Sequence, residues 1–359
     1  MIVDNHAHVF PYLGGKSEYS SEEIQLMYAQ KMISSHFEHT RRLEDYSIVD
    51  NAEPIWDLKR PGPEGKRDVN FRVGQFGRYE WTFEGIDYFK QYMPVTLQDM
   101  TASPEYLIAQ MNYAGVKKAI LQRGHIYGKL EQYYHRAISR FPDRFIGLAQ
   151  IDESMAFTDE QISEMHRSVH ELGLSGLYFE PGALFVSDFK YDFDDEIFES
   201  FWKEVDSLAI PLYVQTDRSE FLDQMERWRN ILEKHPSIIV VVALGLPEQL
   251  ALKDGQVHIP GVVRQLVKEY MVFLEVGYPI SMGKDKDYPY PEAQELLKHL
   301  FDEFGPDKLI WGSDIPNVQR YCTYIQSLNY IRNYCDFLTD SDKEMILGNN
   351  VANLFKIDI

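Results

Sequence analysis

Residues 2–10 of the chain read IVDNHAHVF, an apolar run that carries two histidines. Along a β-strand, alternate side chains project from the same face, so His6 and His8 would point to one side of such a strand. Two neutral imidazole nitrogens held on one face can bind a single divalent cation. The alternative is that both histidines are simply hydrogen-bonded polar residues. We interpret the segment as a β-strand and its histidine pair as candidate metal ligands.

The opposite end of the chain also places a polar residue behind an apolar run. Residues 309–316 read LIWGSDIP, so Asp314 lies just after a predicted strand. A carboxylate in this position could serve as a further metal ligand or as a general base. If the first and last strands are neighbours in a closed barrel, His6, His8 and Asp314 meet at one mouth of that barrel.

From about residue 100, short apolar runs alternate with longer amphipathic stretches, such as 161–172, 196–207 and 220–234, which are typical of helices. Eight strands in this rhythm predict an α/β fold, a (β/α)₈ TIM barrel with its active site at the C-terminal ends of the strands. We predict a single domain over residues 1–359. The predicted strands are 2–10, 118–122, 145–151, 174–180, 210–215, 238–245, 271–277 and 309–312.

The connection after the first strand, residues 11–95, breaks this rhythm. It is too long for an ordinary loop and should therefore hold structure of its own. Residues 21–36 are typical of a helix with an acidic first turn, and residues 70–92, rich in aromatics and glycine, favour a hairpin. Because the insertion leaves from the catalytic end of strand 1, we expect it to form a lid over the site.

The net charge, the number of cysteines and the apolar stretches of the chain argue against some classes of function. The formal net charge of −20 argues against nucleic acid or an anionic membrane as a partner, although local arginines could still bind an anionic small molecule. Two cysteines are too few for a disulfide framework and suit a reducing compartment. The N-terminal segment lacks a signal-peptide pattern, and no apolar stretch is long enough to span a bilayer. We expect a cytoplasmic enzyme acting on a small-molecule substrate.

Several segments together carry a family resemblance. The chain resembles the amidohydrolase-2 branch of the amidohydrolase superfamily, which includes aminocarboxymuconate-semialdehyde decarboxylase, resorcylate decarboxylases and several lactonases. The resemblance implies a TIM barrel, commonly paired as a homodimer. It also implies a divalent metal, often zinc, held by the His6–His8 pair, a strand 5 histidine and the strand 8 aspartate, Asp314, while a strand 6 histidine assists catalysis. The matching stretches are residues 4–8, 111–120 (MNYAGVKKAI), 140–151 (RFPDRFIGLAQI), 304–316 (FGPDKLIWGSDIP) and 346–355 (ILGNNVANLF).

The chain departs from the pattern of the family at two strands. Gln215 ends strand 5, where the family usually has its ligand histidine, and Ala243 lies in strand 6 at the position of the second histidine. Gln215 offers a neutral carbonyl oxygen, a poorer zinc ligand than imidazole. Glu180 at the end of strand 4 or Glu275 in strand 7 could complete a site for zinc or manganese, or contact substrate. The alternative for each is a buried salt bridge or a solvated strand end.

Three further residues are candidates for contact with substrate. Arg123 and His125 follow strand 2 and could bind a substrate carboxylate or relay a proton. A structural ion pair for Arg123 and a surface loop for His125 are the alternatives. Trp81, among the aromatics of the insertion, could wall an apolar pocket, although such a cluster more often forms the small core of the insertion itself.

We therefore predict a metal-assisted hydrolase of a small cyclic ester, an amide or a related carboxylated compound, with Asp314 accepting the proton of water. One alternative is a non-oxidative decarboxylase, in which Arg123 would bind the substrate carboxylate. Others are a metal-free lactonase, in which Asp314 activates water, and a barrel that binds a ligand without turning it over.

Overall fold

Eight parallel strands form the central sheet of the structure, a computed structural model that describes residues 1–253 and 256–357. Within these residues, no helix has the length and apolar character needed to cross a membrane. The strands are β1 (Val3–Ala7), β2 (Arg41–Arg42), β3 (Arg72–Val73), β4 (Arg78–Phe83), β5 (Ile86–Gln91), β6 (Lys118–Leu121), β7 (Phe145–Gln150), β8 (Gly176–Phe179), β9 (Leu212–Gln215), β10 (Val240–Ala243), β11 (Leu252–Lys253), β12 (Gln256–Val257), β13 (Val272–Glu275) and β14 (Leu309–Ile310). The helices are α1 (Glu22–Ser35), α2 (Pro104–Ala114), α3 (Glu131–Arg140), α4 (Asp159–His170), α5 (Glu199–Leu208), α6 (Phe221–Lys234), α7 (Glu248–Ala251), α8 (Gly261–Glu269), α9 (Pro279–Met282), α10 (Pro291–Phe304), α11 (Tyr324–Tyr334), α12 (Asp340–Glu344) and α13 (Asn350–Leu354).

The central sheet closes on itself. Its order is β1-β6-β7-β8-β9-β10-β13-β14, with every neighbouring pair parallel. Beyond β14 the chain continues alongside β1, where the Asp314 N–H donates to the His6 carbonyl and the His8 N–H donates to the Ile315 carbonyl, both at 2.8 Å. The predicted (β/α)₈ TIM barrel is confirmed, and all eight predicted strands are present.

The interior of the barrel is filled by side chains from every strand. One residue of each barrel strand joins a single buried cluster, as expected when alternate side chains point inward. The opposite faces of the strands pack against the surrounding helices in a second, larger core. The inward-pointing residues are Val3, Ile120, Leu148, Tyr178, Tyr213, Val241, Phe273 and Ile310.

Asp4 joins the first strand to the chain that follows the last one. Its Oδ1 accepts hydrogen bonds from the backbone N–H groups of His6 (3.0 Å) and Ser313 (2.9 Å), and its Oδ2 accepts from the hydroxyls of Ser313 (2.6 Å) and Tyr324 (2.8 Å). The side chain is fully buried, and burial raises the pKa of Asp4 to about 6 although these hydrogen bonds oppose the rise. Asp4 therefore satisfies four donors at the barrel seam.

The insertion after β1 has structure of its own. Helix α1 begins after Ser21, whose hydroxyl accepts a hydrogen bond from the Ile24 N–H, and an antiparallel sheet of order β2-β5-β4-β3 follows. Glu84 and Gly85 make the two-residue turn between β4 and β5, both with positive φ (49° and 78°), the geometry in which Gly is favoured. The helix and the hairpin predicted for this segment are both present.

Trp81 lies in the core of the insertion rather than at a binding site. The side chain, in the middle of β4, is 2% exposed and stacks on Tyr88 with ring centroids 6.2 Å apart. Tyr79, two residues earlier on the same face of β4, is also fully buried. Trp81 does not line the cavity that contains His6, His8 and Asp314, so the structure gives no support to the prediction that it contacts substrate.

We predict that Asp4→Ala lowers the free energy of unfolding by about 3 kcal/mol or more, because it leaves buried donors without an acceptor. Asp4→Asn retains Oδ1 for the two backbone amides, and its NH₂ can donate to the two hydroxyls, so its loss should be about 1 kcal/mol or less. Urea denaturation of the purified variants measures both values. Equal losses for the two variants would contradict the role of Asp4 as an acceptor at the seam.

Candidate metal centre and active site

Three predicted ligands meet where β1 and β14 end. His6, His8 and Asp314 are buried, and one ligand atom from each lies within 4.8 Å of the others. The two Nε2 atoms are 3.0 Å apart, and Asp314 Oδ1 lies 3.0 Å from Nε2 of His8 and 3.7 Å from Nε2 of His6. The closed seam of the barrel thus brings together residues from opposite ends of the chain, as the sequence predicts.

The outer hydrogen bonds of the two rings determine which nitrogens are free. Nδ1 of His8 lies 2.7 Å from the carbonyl oxygen of Gln122, which can only accept, so Nδ1 carries the proton. Nδ1 of His6 lies 2.6 Å from Oε1 of Glu275, an acceptor in its carboxylate form. In the neutral rings, both Nε2 atoms therefore present lone pairs toward the Asp314 carboxylate. Three electron-pair donors that converge in this way fit a divalent cation.

The electrostatics of the site favour positive charge. Burial alone would lower the pKa of His6, but the carboxylates of Glu275 and Asp314 outweigh burial and raise it to about 9. Burial lowers the pKa of the neighbouring His8. For Asp314, burial would raise the pKa, but the two histidines and Asn317 overcome it and hold the pKa below its ordinary value. Asp314 is therefore a carboxylate, as a ligand or a general base must be.

Glu275 supports the site from behind and does not face substrate. The residue is 0% exposed. Its Oε1 accepts from the Leu244 N–H (3.1 Å) as well as from His6, and its Oε2 accepts from the side-chain amides of Asn5 (2.8 Å) and Gln122 (3.1 Å). These donors surround the whole carboxylate, so the structure gives no support to the prediction that Glu275 contacts substrate. Its role is to orient the His6 ring and fix the tautomer.

Asp314 is oriented by a residue that the sequence analysis missed. Nδ2 of Asn317 donates to Oδ1 of Asp314 at 2.8 Å and lies 2.7 Å from the hydroxyl of Tyr127. Asn317 begins a short 3₁₀ turn, residues 317–320, directly after the strand 8 segment. Asp314 lies before this turn with a φ of 58°, so helical spacing does not relate the two residues, and the sequence carries no signal that would have identified Asn317.

The two other proposed ligands lie apart from the group of three. Gln215 lines the cavity above the site, and its Oε1 accepts a hydrogen bond from the Tyr178 hydroxyl at 3.1 Å. Glu180 also lines this cavity, but its Oε2 accepts from the His125 backbone N–H at 3.2 Å and lies outside the convergent group. Glu180 thus lies apart from the three ligands, because the end of its strand, β8, faces His125. Burial raises the pKa of Glu180 to about 7.

Both side chains after β6 are held by structural contacts. Arg123 is 0% exposed and donates to Oε1 of Glu131 at 2.8 Å, which is the ion pair given as the alternative reading. His125 is 5% exposed, with Nε2 2.6 Å from Oε2 of Glu153 and Nδ1 2.6 Å from the Tyr19 hydroxyl. Both ring nitrogens of His125 are thus engaged, and the structure presents neither to the metal ligands.

The site opens into a cavity of about 430 Å³, within the usual range for small-molecule sites. The insertion contributes His36, Phe37 and Tyr92 to its wall, which is the placement expected of a lid. The connections after β9 and β14 contribute Arg218 and Arg320. The sequence analysis did not identify any of these five residues as site residues: His36 and Tyr92 end a predicted helix and a predicted hairpin, and no periodic pattern marks the connections that carry the other three.

Comparisons with known proteins identify the family of the chain and proteins that share its fold. A family model described as amidohydrolase matches residues 3–357 of the chain. A search of curated proteins finds no match. One similar solved structure is a probable 2-pyrone-4,6-dicarboxylic acid hydrolase from Acinetobacter baumannii with citric acid bound, at 16% identity and a TM-score of 0.57 over 99% of both chains.

Two decarboxylases are also similar in structure. The 2,6-dihydroxybenzoate decarboxylase from Rhizobium has 16% identity and a TM-score of 0.52, over 72% of this chain and 90% of that one. A dihydroxybenzoic acid decarboxylase from a Polaromonas species, with bound manganese and the inhibitor 2-nitroresorcinol, has 13% identity and a TM-score of 0.51, over 72% and 87% of the two chains. At these identities the likeness shows a common fold and leaves the reaction open.

We predict that Glu275→Gln weakens the binding of Zn²⁺ or Mn²⁺ by about 10- to 100-fold, because it removes the carboxylate that orients His6. Competition with a chromophoric chelator measures the affinity. Glu131→Gln changes another buried carboxylate, at the Arg123 ion pair, and should leave metal affinity unchanged. Equal affinity in wild type and Glu275→Gln would contradict this role for Glu275.

Proposed function

The chain belongs to the amidohydrolase family, and we propose that it is a metal-assisted hydrolase of a small cyclic ester or amide. The observation that carries the proposal is the convergence of two imidazole lone pairs and one carboxylate oxygen at the base of a cavity of small-molecule size. In such a site, a divalent metal held by His6, His8 and Asp314 would polarise the carbonyl of the substrate and lower the pKa of water. Gln215, on the wall of the same cavity, remains a candidate for a fourth ligand.

Asp314 is the proposed general base. Its pKa lies below the ordinary value, so the group is ionised at neutral pH and has lone pairs that can accept the proton of water. The Asn317 amide holds Oδ1 on the side of the two histidines and leaves Oδ2 for this proton. Water attacks the carbonyl carbon, its proton passes to Asp314, and the ring C–O or C–N bond breaks.

Glu180 is the proposed general acid. The leaving oxygen or nitrogen must gain a proton as the ring bond breaks, and Glu180 lines the same cavity. Because burial raises its pKa to about 7, much of the group is protonated near neutral pH and can donate. The reaction thus uses one ionised carboxylate and one protonated carboxyl group, with environments that push their pKa values apart.

A non-oxidative decarboxylase is the second candidate, and the place of Glu180 in the cavity together with its raised pKa of about 7 favours it. Such a reaction needs an acid to protonate the carbon that loses carbon dioxide, and no histidine is available at Ala243 for that step. Release of carbon dioxide from aromatic acids, followed separately from the opening of lactones and lactams, distinguishes the two reactions.

We predict that purified protein binds about one equivalent of zinc or manganese per chain and that His6→Ala/His8→Ala abolishes this binding. Plasma mass spectrometry measures the metal, and a panel of lactones and lactams measures turnover, which should fall at least about 100-fold in Asp314→Asn. His166→Ala/His170→Ala, a histidine pair on the outside of α4, is the matched control and should retain both metal and turnover. Full lactone turnover by wild-type protein that holds no metal, even after loading with zinc or manganese, would contradict metal assistance and leave the metal-free lactonase, in which the two histidines polarise the carbonyl. Tight binding without turnover would leave the non-catalytic barrel.

The pH dependence of turnover tests Glu180. Since only the protonated carboxyl can donate and its folded pKa is about 7, kcat should fall as pH rises through this value. Glu180→Gln should lower kcat at pH 6 by about 100-fold and remove this limb of the profile. The effect should shrink for substrates with better leaving groups, which a purely structural role would not produce.

The matched control is Asp217→Asn, since burial also raises the pKa of this carboxyl at the wall of the same cavity. If the limb disappears in Asp217→Asn and persists in Glu180→Gln, Glu180 is not the acid. The titratable groups close enough to Glu180 to interact with its charge include Tyr19, Tyr28, Tyr92, His125, Glu153, Tyr178 and Asp217.

A further inference from the structure

A smaller cavity adjoins the one that contains the metal ligands. Its volume is about 240 Å³, and one of its walls is also a wall of the larger cavity, so the two spaces lie side by side. We call the smaller cavity the side pocket. The residues that line both cavities are Met32, Ser35, Ile126, Glu180, Asp217 and Ser219.

Away from this shared wall, most of the side chains that line the side pocket are apolar. Tyr28 of α1 and Phe185 of the chain after β8 pack edge to face, with ring centroids 5.5 Å apart, and Phe189 lines the same pocket. Leu58 of the insertion, which is 75% exposed, lines the end that opens to solvent. At ~30 Å³ for each water molecule, the volume corresponds to about eight waters, which leaves room for a chain or ring of about six carbons.

A cation of the protein itself already balances the acidic groups of the side pocket. Nζ of Lys31 donates to the Pro61 carbonyl oxygen at 2.8 Å and lies 5.0 Å from the centre of the Trp56 ring. Burial lowers the pKa of Lys31, and the carboxylates of Asp217 and Glu220 oppose this effect. A charged ligand group would have to compete with these contacts, whereas an uncharged apolar group leaves them in place. The side pocket therefore suits an uncharged apolar group.

Glu180 connects the side pocket to the reaction, because it lines both cavities. In the proposed reaction this carboxyl protonates the leaving atom, so that atom must come within hydrogen-bond distance of it. The carbonyl carbon, on one side of the leaving atom, is held toward His6, His8 and Asp314. The carbon on the other side of the leaving atom therefore points past Glu180 toward the side pocket.

We propose that the side pocket holds an uncharged apolar chain or ring that the substrate carries on the carbon bonded to its leaving oxygen or nitrogen. This inference rests on the proposed function and names the class of substrate, a lactone or lactam substituted on that carbon. Water adds to the carbonyl carbon and gives a proton to Asp314, the bond from the carbonyl carbon to the ring oxygen or nitrogen breaks, and the freed atom takes the proton of Glu180. The product is a hydroxy acid or amino acid whose hydroxyl or amino carbon carries the apolar group.

The insertion and the barrel build the outer wall of the side pocket together. The Gly62 N–H donates to Oδ1 of Asp188 at 3.0 Å, which ties the insertion to the chain after β8. Leu58 and Pro61 line the pocket from the insertion, and Phe189 lines it from the barrel. The preference for an apolar group thus depends on how this insertion packs against the barrel.

Turnover of two isomeric δ-lactones by the full-length, metal-loaded protein tests the proposal. δ-Decalactone carries a pentyl group on the ring carbon bonded to the ester oxygen, and its isomer carries the same group on the carbon next to the carbonyl. The wild type should have a kcat/KM at least about tenfold higher for δ-decalactone than for the isomer. Ala183→Leu, which fills the side pocket, should lower this ratio by about tenfold, and Phe189→Ala, which removes an apolar wall, should lower it by at least about threefold.

Phe76→Ala is the matched control for Phe189→Ala. Both phenylalanines have a positive φ (57° and 51°) and similar exposure (39% and 38%), but Phe76 does not line either cavity. Its variant should therefore keep the ratio of the wild type. Equal kcat/KM for the two isomers, or a ratio that both phenylalanine variants change alike, would overturn the proposal.

Binding to Asp314→Asn separates this proposal from the proposed function, because this variant should leave the lactones intact. Calorimetric titration should show δ-decalactone binding at least about tenfold more tightly than its isomer, and Ala183→Leu/Asp314→Asn should lose this preference. If the wild type turns over neither lactone, this pattern of binding would still support the side pocket, and only the proposed function would fail. Equal binding of the isomers, or no binding of δ-decalactone up to about 1 mM, would overturn the proposal.

Discussion

The pairing of the first strand with the chain that follows the last strand is the interaction on which the site depends. The backbone bonds from Asp314 to His6 and from His8 to Ile315 close the barrel, and the residues that make them also carry the ligand side chains. The contacts that close the barrel are therefore also the contacts that bring the ligand side chains together. Asp4 reinforces the same seam by accepting four hydrogen bonds across it, so a defect there would affect both stability and metal binding.

Charge in the barrel interior is stabilised by complete hydrogen bonding. Glu275 is fully buried, which would be costly for an isolated carboxylate, but donors from Asn5, His6, Gln122 and Leu244 surround it. The Tyr213 hydroxyl donates in turn to the Asn5 carbonyl oxygen and orients that amide. A network in which each member limits the orientation of the next holds the His6 ring in one position, as a metal site requires.

The sequence predicts the barrel and the core of the site because both follow from strand geometry. Short apolar runs between amphipathic stretches locate the strands, and the spacing of His6 and His8 gives their common face. The same reasoning does not predict the surroundings of Glu275 and Trp81, because alternation along a strand shows which residues share a face and does not show what that face packs against. Arg123 pairs with Glu131, a helical residue, and this pairing depends on how α3 packs on β6 and β7. His36, Phe37, Arg218 and Arg320 lie on connections, whose paths no periodic pattern determines.

The cavity has two ends of opposite electrostatic character. At the base, the lone pairs of His6 and His8 and the Asp314 carboxylate converge, an arrangement that a cation completes. At the mouth, the guanidinium carbons of Arg218 and Arg320 lie 5.3 Å and 5.7 Å from the centre of the Phe37 ring. Because His36 and Phe37 belong to the insertion and line the same cavity, the folding of the insertion against the barrel is part of the formation of the site.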